Sequence, residues 1–203
     1  LLKGSSLKLR PHYKSHKCSA LAHMQIKAGA IGMTCAKLSE AEDLADSGIE
    51  DILIANQIVD PKKIRRVAEL AGDCKLTVCV DDIDNVIALA KAAKEAGTEI
   101  NCYIEYEIGM RRCGVNTPEE VYALAEEIGS HSHLRFGGIQ AYAGHISHTV
   151  DLGEREIATA ENEKKLTSLI NYLNARNISV PSVSGGSTGT SLIKANSSVY
   201  TEI

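Results

Sequence analysis

An α/β fold built as a (β/α)8 barrel is what the sequence predicts, on three observations. Short β-rich runs alternate with runs of helical period along the whole chain. The β-rich runs are apolar almost throughout, as strands covered on both faces are. Clusters of polar residues follow several of these runs, at the strand ends where a parallel barrel carries its active rim. An open doubly wound sheet would alternate in the same way, and periodicity alone does not separate the two.

The elements follow in order. A first strand is predicted over Leu7–Tyr13 and a second over Ile31–Cys35. Ser39 with Glu42 has the spacing of a capping box and opens a helix that Gly48 should stop. The third strand is Asp51–Ala55. Pro61 after Asp60 takes the favoured first helical position, and Gly72 marks the end. Leu76–Val80 is the fourth strand, followed by Val86, Leu89, Ala90 and Ala93 at i, i+3, i+4, i+7 and a stop at Gly97. After the strand Ile100–Glu105, Thr117 with Glu120 forms a second capping box around Pro118. Val121, Leu124, Ala125 and Ile128 then repeat the helical period up to Gly129. Leu134–Tyr142 is the sixth strand. Leu166, Leu169, Ile170 and Leu173 mark the next helix, Ile178–Ser184 the seventh strand, and Ser198–Ile203 a weaker eighth.

Composition narrows the function. The 203 residues suit one domain, with 44% hydrophobic and 24% charged residues. Twenty-two Lys and Arg stand against 26 Asp and Glu, without long blocks of one sign. That balance argues against nucleic acid or an anionic membrane as the main partner, but not against a small anion bound locally. No apolar stretch reaches the roughly 18 residues of a membrane span. The six cysteines include no C-x-x-C pair, and several lie in apolar runs. Buried free thiols and a reducing, cytoplasmic compartment are expected. The chain starts at Leu1 and stops within a predicted strand, so the single barrel domain over 1–203 is expected to be cut at both ends.

Four clusters could carry chemistry. In Arg10–Lys17, strand alternation would put Arg10, His12 and Lys14 on one side, with Lys14 at the exit. An inward lysine has an easily lowered pKa, as a Schiff-base lysine needs, and a solvated basic strand end is the plain alternative. Glu105–Gly114 sets Arg111 and Arg112 between two glycines, in what could equally be a surface turn. Gln140–His148 brings an amide, the Tyr142 phenol, and the imidazoles of His145 and His148 to one exit; either histidine could be a general base or incidental. Ser184–Thr190 frees consecutive backbone N–H groups beside hydroxyls, as a phosphate cradle does and as a flexible turn also can. Together an amine, a cradle and a candidate base are the parts of a pyridoxal-phosphate site.

On these residues the sequence resembles the fold-type III pyridoxal-phosphate enzymes that group D-threonine aldolase, 3-hydroxy-D-aspartate aldolase and eukaryotic-type D-serine dehydratase. Their barrel is of the alanine racemase N-terminal-domain kind. The likeness runs through RPHYKSHK at 10–17, GMTCAKLSEAE at 32–42, GIEDILIANQIVDPKKIRR at 48–66, GMRRCG at 109–114, FGGIQAYAG at 136–144, SGGSTGT at 184–190 and VYTEI at 199–203.

The resemblance implies pyridoxal 5′-phosphate as cofactor, with Lys14 as the lysine that carries it and Arg112 as the partner of the pyridine nitrogen. It implies His148 as the catalytic base. Tyr142, Ser184, Gly185, Gly186, Ser187 and Thr188 are implied as cofactor and phosphate contacts. The substrate would be a D-3-hydroxy amino acid cleaved to glycine and an aldehyde or keto acid. D-serine dehydration and a non-catalytic cofactor-binding barrel are the alternatives. Relatives continue into a β-rich second domain that binds a divalent metal, so no metal ligand is assigned within this sequence. Paired barrels in relatives leave a homodimer open. Departures from the family pattern are Ser187 for a third glycine, Glu107 for an aspartate, and Ala143 and His145 in the loop after the sixth strand.

Overall fold

The computed structural model describes Leu2 and residues 4–203. Six parallel strands run in chain order: β1 (Met33–Cys35), β2 (Asp51–Gln57), β3 (Lys75–Val80), β4 (Ile100–Glu105), β5 (Leu134–Gln140) and β6 (Val183–Ser184). Helices alternate with them: α1 (Ser19–Lys27), α2 (Leu38–Asp46), α3 (Pro61–Leu70), α4 (Ile83–Ala96), α5 (Pro118–Gly129), α6 (Leu152–Asn174) and the one-turn α7 (Ser191–Lys194). Every neighbouring pair is parallel, so all strand exits lie at one end.

The sheet closes on itself through two extended segments rather than two full strands. The first predicted strand survives as the isolated bridges Lys8↔Glu202 and His12↔Thr34, and the last joins β6 at Ser184↔Glu202. Arg10 N donates to Ile203 O at 2.7 Å, Lys8 N to Thr201 O at 2.9 Å, and Thr34 N to Pro11 O at 2.8 Å. The ring is thus complete at eight positions, and the open-sheet alternative falls. The seventh strand shrinks from the predicted Ile178–Ser184 to two residues, just after Pro181, which has no N–H for the ladder.

Strand alternation sorts side chains into two shells. Ile52, Ile54, Val78, Val80, Cys102 and Ile104 point outward into the main core with the buried stripes of the helices, including Val86, Leu89, Ala90 and Ala93. Leu53, Cys79 and Tyr103, with Ala55 against them, form a separate cluster within the barrel. Its floor is a buried ion network: Arg10 Nη1 lies 2.6 Å from Asp51 Oδ1, while Nε and Nη2 meet the two oxygens of Glu202 at 3.1 and 3.2 Å.

Most helix signals hold. Asp60 caps α3 before Pro61, and Thr117 with Glu120 forms a complete capping box on α5. Gly97 ends α4 in the left-handed conformation. Two expectations need correcting. Ser39 lies inside α2, whose first turn is instead tied by the Glu40 carboxylate accepting from Ala36 N at 2.9 Å. Gly129 is the last residue of α5 rather than its stop.

Candidate active site

Lys14 departs from its predicted setting. Alternation ends at His12, whose Nδ1 accepts from Lys14 N at 3.2 Å and turns the chain into a 3-10 turn over Tyr13–Ser15. Lys14 is therefore exposed on that turn at the exit of the first segment, and not on a strand beside Arg10. Arg10 is consumed by the floor network. Burial, and then the Lys14 charge, lower the His12 pKa to about 4, so His12 is neutral at pH 7. Tyr13, wholly buried, anchors the turn through its hydroxyl on Asp43.

Arg112 and Tyr142 are brought together. The Arg112 guanidinium lies 5.7 Å from the Tyr142 ring centre, in cation–π range, and donates to Glu105 Oε1 at 3.4 Å. Glu105 ends β4, is nearly buried, and also accepts from Gln57 Nε2 at 2.6 Å at the end of β2. Burial opposes the Arg112 charge, but Glu105 and Cys113 together outweigh it and keep the pKa above the usual arginine value. The turn carrying Arg112 is built by Glu107, whose Oε1 accepts from Gly109 N at 2.7 Å and Arg111 N at 2.6 Å. The Glu107 family departure thus keeps a turn-forming carboxylate. Arg112 also lines a shallow hollow with Glu107, Arg111, Cys113, Gly114 and Asn116.

The two later loops are joined. Ser147, on the 3-10 turn Gly144–His148, hydrogen-bonds Ser187. Arg155 on α6 donates to Thr149 O at 2.6 Å and to Gly189 O at 3.0 Å, bridging both loops. His148 is exposed on this turn beside Ser147, while the His145 ring packs on Gly109. No described side chain hydrogen-bonds Lys14 Nζ or the His148 ring.

Ser184–Thr190 has the properties of an anion site. The N–H groups of Gly186, Thr188 and Gly189 donate to no described residue. Gly185 (φ 152°) is required there, because a Cβ would fall 2.2 Å from Ala141 O. Two cations flank the loop, Arg155 and Lys194, and neither has a carboxylate at ion-pairing distance among the described residues. Close by, the Gln140 Oε1 at the end of β5 is buried without a partner. These donors and uncompensated charges fit a phosphate monoester, and with Lys14 and Arg112 on the same rim they fit pyridoxal phosphate.

Glu105, Gln57, Arg155 and Lys194 were not singled out from sequence. Glu105 opens a predicted cluster, and "an acidic residue at a strand exit before an arginine turn" was the available signal. Gln57 and Arg155 act across 48 and 34 residues of chain and leave no local spacing, and Lys194 acts through packing on Gly186 and Tyr200. All six cysteines are free thiols, and no described helix is long and apolar enough to cross a membrane.

A parallel barrel with a glycine-rich loop and a carboxylate-held arginine on its exit rim defines the class as an α/β barrel. The profile "Alanine racemase, N-terminal domain" matches residues 4–203, and the chain belongs to that family. It is 36% identical over 195 residues to a D-threonine aldolase of an Arthrobacter species, covering 96% of this chain and 52% of the relative. It is 36% identical over 203 residues to a 3-hydroxy-D-aspartate aldolase of Paracoccus denitrificans, covering 99% and 52%. Among solved structures, the D-threonine aldolase of Filomicrobium marinum superposes with a TM-score of 0.97 at 37% identity, over 99% of this chain and 55% of that one. The chain spans about half the length of these relatives.

Proposed function

We propose that this chain is the cofactor-binding barrel of a pyridoxal-phosphate-dependent lyase that cleaves D-3-hydroxy amino acids, of the D-threonine or 3-hydroxy-D-aspartate type, to glycine and an aldehyde or keto acid. The observation that carries the proposal is the 184–190 loop, with unsatisfied N–H groups between two uncompensated cations. The names of the two aldolases above supply the substrate class.

Pyridoxal phosphate, when bound, supplies the electron sink for the bond that breaks at Cα. Lys14 would hold its carbonyl carbon, and its exposure on a short turn leaves the amine reachable by a substrate that displaces it. The N–H groups of Gly186, Thr188 and Gly189, with the hydroxyls of Ser184, Ser187 and Thr188, would bind the phosphate. Arg112, kept charged by Glu105, would donate to the pyridine nitrogen and keep that nitrogen unprotonated. Tyr142 orients Arg112 through its ring face. His148 would take the β-hydroxyl proton as the Cα–Cβ bond breaks. Any divalent metal used would draw on groups beyond those assigned here.

The test is borohydride fixation of pyridoxal phosphate. A label on the peptide containing residue 14, with an absorbance band near roughly 410–430 nm that is missing in Lys14→Ala, is the expected result. Release of glycine from D-threonine or 3-hydroxy-D-aspartate, with a divalent metal supplied, then decides the substrate class. A second reading is favoured by the likeness to the D-threo-3-hydroxyaspartate dehydratase of Delftia sp. HT23, with a TM-score of 0.90 at 27% identity. Ammonia and a keto acid in place of glycine would select it. Label on another lysine would overturn the site.

A further inference from the structure

Lys194 is a cation of the candidate site that no step above uses. It ends α7 and is only 3% exposed. Its stem packs on the cradle: a Cβ on Gly186 would lie 3.4 Å from Lys194 Cδ. Its Nζ sits 3.2 Å from the centre of the Tyr200 ring, and the Tyr200 hydroxyl donates to Ala141 O at 3.2 Å, directly behind Gly185. The groups facing the amine are Tyr200 and, farther off on α6, Glu163. An aromatic face attracts a cation but does not neutralise it. The lysine therefore carries a charge deficit next to the loop that offers unsatisfied N–H groups.

We propose that Lys194 is the charge that selects a doubly negative phosphate monoester in the 184–190 loop, through its packing on Gly186. The inference rests on the cofactor reading above and adds to it a residue and a selectivity. Burial lowers the Lys194 pKa to about 7, against the weaker opposite pull of Glu163. A dianion arriving at the loop favours the charged amine and raises its pKa, so binding takes up a proton at pH values between the free and the raised pKa.

The experiment is calorimetric titration with pyridoxal phosphate, with pyridoxal, which lacks the phosphate, and with inorganic phosphate. It is run at pH 8 in buffers of different ionisation heat, on the protein and on Lys194→Met and Lys194→Arg. The protein should take up close to about one proton per phosphate ligand bound. Lys194→Met should lose that uptake and bind both phosphate ligands at least about tenfold more weakly, while pyridoxal binding changes by less than about twofold. Lys194→Arg, always charged, should keep affinity without proton uptake. Equal weakening for pyridoxal would mark Lys194 as structural and overturn the proposal, as would unchanged phosphate affinity in Lys194→Met. Failure of the unsubstituted protein to bind any of the three ligands would instead overturn the cofactor reading, and this inference with it.

Discussion

Replacing Arg10 with Met should cost the barrel a large share of its stability. The side chain is 5% exposed and holds three elements together: the first segment, β2 through Asp51, and the last segment through Glu202. Methionine keeps most of the volume, so the loss is one of charge. Asp51 retains Lys75 at 2.7 Å on its solvent side, whereas Glu202, 4% exposed, has no other cation at ion-pairing distance among the described residues. Removing one partner of a buried ion pair costs about 3–5 kcal/mol, because the other charge stays desolvated. For a chain of this size that is a fall in Tm of about 6–20 °C. Urea denaturation followed by far-ultraviolet circular dichroism at pH 7 measures it, with Glu202→Gln added in a double-mutant cycle. The second substitution should recover at least about 1 kcal/mol by removing the stranded charge. A loss below about 1 kcal/mol in Arg10→Met, or a further loss on adding Glu202→Gln, would refute the view that this network closes the ring.

Two further outcomes are expected. His12 has its pKa lowered to about 4 by burial and then by Lys14, so in acid the unfolded chain binds the proton first. Its contribution is complete above the ordinary histidine value of about 6.5 and is lost as pH falls towards about 4, worth about 1–2 kcal/mol after allowance for partial solvent access. Urea midpoints across that range should show the slope flatten in His12→Gln, and an NMR titration should find the His12 ring still neutral at pH 5. Gly185→Ala forces a Cβ to within 2.2 Å of Ala141 O at a φ of 152°. It should cost about 2 kcal/mol or more in the same urea assay, and it should abolish phosphate binding by moving the loop.

The parts of the fold written in local pattern were legible: helix stripes such as Val121–Ile128, the Thr117 capping box, and the central strands with their apolar outer faces. The ends of the ring were legible only as apolar runs. A segment held by single bridges carries the same residues as a strand, and only the partner across the ring decides how far pairing extends. Alternation misplaces Lys14, because His12 Nδ1 accepting from Lys14 N competes with the strand. Ser39 and Glu42 have capping-box spacing, yet the helix starts ahead of them at Leu38, with Glu40 accepting from Ala36 N before its first turn. In the site, the arginine turn and the glycine loop were visible as composition. The Glu105 and Gln57 support for Arg112 arises only when β2 and β4, with β3 between them, bring their ends to the same rim.

Ser147 on Ser187, and Arg155 spanning Thr149 O and Gly189 O, make one body of two loops separated by some forty residues. Opening either loop breaks contacts that belong to both, so they share a single opening free energy. Whatever orders the glycine loop therefore also lowers the entropy of the turn that carries His148. Amide hydrogen exchange in 144–149 and 187–190 should rise and fall together, and a ligand on the one should be felt as stillness in the other.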